Sequence, residues 1–200
     1  MSPRIDYTRS FVPLRIAVLT ISDTRTPKTD KSGPLLVRMI EEAGHIVADR
    51  MVTPDDEKSI RKAVKAWVKA KGIDVVITTG GTGFTGRDVT PEAVRPLFDK
   101  EIDGFSTLFH MLSYQTVGTS TVQSRACGGL AKTTLVFSVP GSPGACKDAW
   151  NGILKFQLDA RHRPCSFVEI LPRLGESKKK DGKDAKGKKD KKDKKDKKKK

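Results

Sequence analysis

Short runs of apolar, β-branched residues decide what this chain can fold into. Arg15-Ile16-Ala17-Val18-Leu19-Thr20-Ile21, Ile73 to Thr79 and Thr134 to Val139 are almost continuously apolar. A strand with one face in water alternates apolar and polar side chains, whereas a continuous run needs cover on both faces. Ile46 to Val52 gives a further strand, with poorer alternation. Helical patterns separate these runs. Pro34 opens one where its missing N–H costs little; Leu35, Leu36, Met39, Ile40 and Ala43 share a stripe, and Gly44 ends it. Ile60, Ala63, Val64, Trp67 and Val68 form the clearest stripe, with Lys and Arg on the other face and Gly72 closing it. Thr90-Pro91-Glu92 starts a third helix. Phe105, Leu108, Phe109 and Leu112 mark a fourth, followed by a small-residue stretch to Leu130. Ser142-Pro143 opens the last, which carries Cys146, Ala149, Trp150, Ile153 and Leu154. Strands alternating with helices predict an α/β three-layer sandwich, a mostly parallel sheet with helices on both faces.

The 200 residues accommodate one such domain and a tail. The predicted division is an N-terminal extension at 1–12, the α/β domain at 13–174 and a Lys-rich tail at 175–200. A body of that size buries roughly 70% of its unfolded surface and needs neither disulfide nor metal to fold. The net charge of +15 is concentrated in the tail, where 15 Lys stand against 6 acids. No apolar run approaches the ~20 residues of a membrane-spanning helix, and Met1 to Val12 lacks the apolar core of a signal peptide. Cys127, Cys146 and Cys165 are an odd set with no close pair, which suits a reducing compartment. The expectation is a soluble, cytoplasmic protein with no membrane partner.

Right-handed crossovers place every strand-to-helix loop of a parallel sheet along one edge, where ligands bind in open α/β sheets. The chemistry-bearing residues fall in those loops. The first strand runs into Ser22-Asp23, the second into Thr53-Pro54-Asp55-Asp56, the third into Gly80-Gly81-Thr82-Gly83 with Arg87-Asp88 beyond it, and the last into Pro140-Gly141-Ser142-Pro143.

Glycines without Cβ let backbone N–H groups approach an anion, and Thr82 adds a hydroxyl donor. The loop is neither a dinucleotide fingerprint nor a P-loop; a turn that merely needs glycine is the simpler alternative. Asp55 and Asp88 on neighbouring strand ends can hold Mg²⁺ together with substrate phosphates. Each also has a structural alternative. Asp55 can cap the helix of Ile60 and Trp67, and Asp88 can pair with Arg87 or close the turn before Thr90. Ser22, Asp23 and Ser142 read equally as caps or as ligand contacts. His45, His110 and His162 lack metal-ligand spacing, and no set of residues typical of covalent hydrolysis is present.

Thr78-Thr79-Gly80-Gly81-Thr82-Gly83, Arg87-Asp88-Val89-Thr90-Pro91-Glu92 and Pro140-Gly141-Ser142-Pro143, in that order, resemble the MoaB/MogA family of molybdenum cofactor biosynthesis proteins. Thr20-Ile21-Ser22-Asp23 and Asp30-Lys31-Ser32-Gly33 match the family's opening. Leu97 to Glu101 and Gln157 to Arg161 resemble the MoaB branch in particular. The similarity covers about residues 13–172. It implies a molybdopterin-binding fold and adenylyl transfer, in which Mg²⁺-ATP gives AMP to the terminal phosphate of molybdopterin and pyrophosphate leaves. It implies catalytic, Mg²⁺-associated roles for Asp55 and Asp88. Ser22, Asp23, Gly80, Gly81, Thr82, Gly83, Thr90, Pro140, Gly141 and Ser142 become substrate and nucleotide contacts, and the protein a homotrimer or hexamer. Two other readings stand beside this one. The first is a protein that binds molybdopterin without catalysis. The second is association with nucleic acid through the tail, which is expected to be disordered and, lacking aromatic residues, to bind without specificity.

Overall fold

The computed structural model describes residues 4–174; the Lys-rich tail lies outside the described residues. The chain runs β1 (Arg4–Ile5), β2 (Arg15–Ile21), α1 (Ser32–Glu42), β3 (Ile46–Thr53), α2 (Glu57–Lys69), β4 (Val75–Thr79), α3 (Thr90–Val94), β5 (Lys100–Glu101), α4 (Asp103–Val117), β6 (Cys127–Ala131), β7 (Thr134–Val139), α5 (Pro143–Ala149) and β8 (His162–Arg163). A π-helical turn, Trp150–Leu154, continues α5 into Lys155–Gln157.

Six strands form one sheet in the order β3-β2-β4-β7-β6-β5. β3, β2, β4 and β7 are parallel; on one side β6 pairs antiparallel with β7, and β5 antiparallel with β6. Consecutive residues of each central strand enter opposite layers. Ile16, Val18, Val75, Ile77, Leu135 and Phe137 pack with Leu36 and Ile40 of α1, Phe105 and Phe109 of α4, and Cys146, Trp150 and Leu154 of the last helix. Ala17, Leu19, Ile21, Val76 and Val136 pack with Ile60, Val64 and Trp67 of α2 and Ala93 and Val94 of α3. The three-layer sandwich is therefore present, with a mostly parallel sheet between two helical layers. Fully burying a side chain of this kind contributes about 1.5–3 kcal/mol, so both layers are needed to hold strands of this composition.

Several boundaries differ from the sequence expectation. α1 begins at Ser32, two residues before Pro34, because the Asp30 carboxylate accepts hydrogen bonds from the Ser32 and Gly33 N–H groups at 3.0 Å. The Ile46 strand is the sheet's edge, which explains its poor alternation. The Ile73 run becomes a strand only from Val75. The small-residue stretch before Leu130 contains β6, unmarked in the sequence because the space above Gly128 and Gly129 is taken by the rings of Phe98, Phe105 and Phe137. Residues 4–12 lie against the body. Arg4–Ile5 pairs with β8, and Arg9 bonds Glu169 and the Ala160 carbonyl.

Candidate active site at the sheet edge

The C-terminal ends of β2, β3, β4 and β7 reach the same edge, and their loops enclose a cavity of about 420 Å³. Gly80, Gly81, Thr82 and Gly83 form its floor. Gly80 and Gly81 have φ of +110° and +62°, and a Cβ at Gly80 would collide with the Ile21 carbonyl oxygen. No L-residue fits there without moving β2. The four carbonyls of this loop are all engaged from outside the cavity. Thr90 donates its Oγ1 hydroxyl to Gly80 O at 2.8 Å and its N–H to Gly81 O at 2.9 Å. Arg125 donates its backbone N–H to Thr82 O at 2.9 Å and Nε to Gly83 O at 2.8 Å. Carbonyl oxygens repel an anion, so tying them back leaves a floor suited to phosphate.

Asp55 and Asp88 stand over that floor. A Cβ built on Gly81 would lie 2.8 Å from Asp55 Oδ1, and one on Gly83 2.7 Å from Asp88 Oδ2. Asp55 does not cap α2. Asp56 does, accepting from the Ser59 N–H at 2.8 Å, which leaves Asp55 to the cavity. Asp88 does not pair with Arg87. Its Oδ2 closes a turn by accepting from the Thr85 N–H (2.9 Å) and hydroxyl (2.6 Å). Burial works against the Asp88 anion, but these bonds hold its pKa below the ordinary value. Asp55 goes the other way: burial, then repulsion from Asp23 and Asp88, raises its pKa. Its backbone and that of Asp23 are interlocked, each N–H bonding the other's carboxylate at 3.0–3.1 Å.

Of the residues expected from the sequence, Ser22, Asp55, Gly80 to Gly83, Asp88, Pro140 and Gly141 line the cavity. Asp23, Thr90 and Ser142 stand behind its wall. Asp23 accepts the Arg87 guanidinium at 2.6–2.9 Å, Thr90 holds the floor, and Ser142 caps α5 through Ala145 N–H at 3.2 Å. Sequence reasoning missed Arg25, Lys31 and Gln123, which also line the cavity, and the wall role of Asp30 and Ser32. Buried Asp30 accepts from the Thr20 hydroxyl (2.7 Å) and Arg50 (2.9 Å), and Ser32 Oγ donates to Gly141 O at 2.7 Å. The signal for Asp30, Lys31 and Ser32 lies in the motif Asp30-Lys31-Ser32-Gly33; Arg25 and Gln123 carry no such mark in the sequence.

Among the described residues no group of three His, Cys, Asp or Glu can hold a metal unaided. The donor set at Asp55 and Asp88 is all oxygen and carries excess negative charge, which fits a hard cation that completes its shell with water and phosphate. The histidines are engaged in packing. His45 Nδ1 accepts from the Leu14 N–H, and His110 sits between the Ser106 and Ser124 carbonyls. Burial pushes the Cys146 thiol up to about 11, so it is not a thiolate nucleophile.

The raised pKa of Asp55 gives a stability prediction. Its folded value lies above its unfolded one, so the ionised group costs stability at neutral pH, and the cost disappears as pH falls below the unfolded value. Asp55→Asn should therefore raise Tm at pH 7 by about 1–3 °C, with the gain shrinking toward pH 4 in thermal melts. A gain that grows as pH falls would contradict this origin.

Residues 17–160 match the family model described as a probable molybdopterin binding domain. The chain is 49% identical over 157 residues to molybdenum cofactor biosynthesis protein B of Escherichia coli K12, covering 78% of this chain and 92% of that protein. It is 51% identical over 146 residues to the Bacillus cereus protein of the same name, covering 72% and 86%. A crystal structure of a molybdenum cofactor biosynthesis protein B superposes with a TM-score of 0.75 at 44% identity, over 83% of this chain and 98% of that one. The tungsten cofactor synthesizing protein MoaB of Pyrococcus furiosus superposes at 0.62 with 34% identity, over 81% and 97%. With a family model spanning most of the body and relatives near half identity, this chain belongs to the MoaB/MogA family of molybdenum cofactor biosynthesis proteins.

Proposed function

We propose that this protein is a molybdopterin adenylyltransferase, moving AMP from Mg²⁺-ATP to the terminal phosphate of molybdopterin. The observation that carries the reading is the pair of cavity carboxylates, Asp55 and Asp88, above a glycine floor whose carbonyls are all tied back. A terminal phosphate oxygen of molybdopterin attacks the α-phosphorus of ATP. One P–O bond forms there, the bond to the α,β-bridging oxygen breaks, and pyrophosphate leaves with that electron pair. Attack of one anion on another demands orientation and positive charge rather than a covalent nucleophile. Arg25 and Lys31 bring that charge from the cavity wall, and the glycine floor holds phosphate oxygens. Asp55 and Asp88 would hold Mg²⁺, which when bound with ATP neutralises charge on the leaving pyrophosphate.

We assign the enzyme as homo-oligomeric and cytoplasmic. Leu108, Met111, Tyr114 and Val117 make an exposed apolar stripe on α4, a surface suited to cover by another copy. Among the described residues no helix is long and apolar enough to cross a membrane, and the three cysteines are free. We assign the Lys-rich tail, residues 175–200, no part in catalysis.

The test is pyrophosphate release from Mg²⁺-ATP with molybdopterin present. Wild type should release it only when molybdopterin is added, and Asp88→Asn should lose the activity by about 100-fold or more while remaining folded at the assay temperature. Full activity in that variant would remove Asp88 from the mechanism. Wild type that binds molybdopterin without any release would favour the non-catalytic reading. A chain ending at residue 174 should transfer AMP at the wild-type rate; a lost rate would give the tail a catalytic role. Met111→Glu should lower the mass measured by light scattering toward that of one chain, and an unchanged oligomer would clear the α4 stripe of that role.

A further inference from the structure

Arg125 is absent from the sequence expectations and from the cavity wall, yet it bonds four groups around the site. Its backbone N–H holds Thr82 O at 2.9 Å, Nε holds Gly83 O at 2.8 Å, and Nη2 holds Asp88 O at 2.6 Å. Nη1 bonds the Glu92 carboxylate, and the guanidinium lies 5.4 Å from the centre of the Phe84 ring. One side chain therefore clamps both ends of the segment that runs from the phosphate floor to Asp88. It does so without touching either cavity carboxylate.

We propose that Arg125 is the positioning residue of this site, fixing the Gly83–Asp88 loop so that Asp88 faces the bound phosphates. The inference rests on the adenylyl-transfer reading. Division of labour makes the role specific. Thr85 sets the orientation of the Asp88 carboxylate, at 2.6–2.9 Å, while Arg125 sets where the Asp88 backbone stands. Gly83 and Asp88 are five residues apart in a loop with no strand or helix between them; the Gly83 N–H reaches the Asp88 carboxylate, and Arg125 adds the tie between the two backbone carbonyls. Only a planar fork can serve Gly83, Asp88 and Glu92 at once; a lysine has a single nitrogen to offer them. The delivery is topological. β6 runs antiparallel to β7, pairing Cys127 with Ser138, so its entry lies at the same sheet edge as the exit of β7. That puts Arg125, two residues before β6, beside loops that parallel strands leave.

The test uses Arg125→Lys and, as a milder perturbation, Glu92→Gln, each with two readouts. Amide hydrogen exchange should accelerate about tenfold or more within residues 80–88 and stay at wild-type rates in the central strands. In pyrophosphate release, kcat should fall about 10- to 100-fold for Arg125→Lys while KM for ATP moves far less, and Glu92→Gln should follow in the same direction with a smaller effect. Unchanged exchange in 80–88, or unchanged kcat despite faster exchange, would overturn the proposal. If Arg125→Lys does not fold, Glu92→Gln decides by the same two criteria. Should wild type release no pyrophosphate at all, the adenylyl-transfer reading has failed; the exchange result then decides by itself whether Arg125 holds the loop.

Discussion

Each central strand of this protein has two hydrophobic layers to satisfy at once, and that demand expels chemistry from the sheet. In β4, Val75 and Ile77 serve one layer and Val76 the other. Hydroxyls enter only at the strand's end, where Thr78 bonds Ser138 Oγ at 2.8 Å and Thr79 bonds Pro140 O at 2.9 Å. A buried polar group without such a partner would cost about 1–3 kcal/mol. Because the strands are parallel, their exits share one edge, and the polar residues excluded from the interior meet there.

The charge balance at that edge sets what the cavity can hold. Asp23 is neutralised by Arg87, and Arg125 and Glu92 offset one another. Asp55 is harder to ionise, first because it is buried and then because Asp23 and Asp88 repel it, whereas Asp23 is held low by the Arg87 guanidinium and Asp88 by the Thr85 N–H and hydroxyl. A cation accompanied by phosphate answers that imbalance. The same imbalance costs the protein stability, a trade common where carboxylates are held against their own repulsion.

Much of the fold was legible because burial on both faces leaves an unmistakable pattern in β2, β4 and β7. The glycine floor and both aspartates were legible because parallel topology dictates where such loops gather. The misses have physical causes. Asp55 and Asp56 are adjacent and chemically alike, so only geometry assigns the cap of α2 to one and the cavity to the other. β6 has glycines where phenylalanine rings need room, which erases its strand signature. Arg125 and Gln123 reach the edge by way of an antiparallel strand, a route that reasoning from strand-to-helix loops does not consider. Asp30 was visible as part of a motif, but its buried bonds to Thr20 and Arg50 depend on β3 lying beside β2.

The central claim is that this edge joins two phosphates. The most direct measurement follows a label in the α-phosphate of ATP, incubated with the protein, Mg²⁺ and molybdopterin. The label should appear covalently on molybdopterin, with the released pyrophosphate unlabelled. Label that stays in ATP while molybdopterin is demonstrably bound would contradict the account.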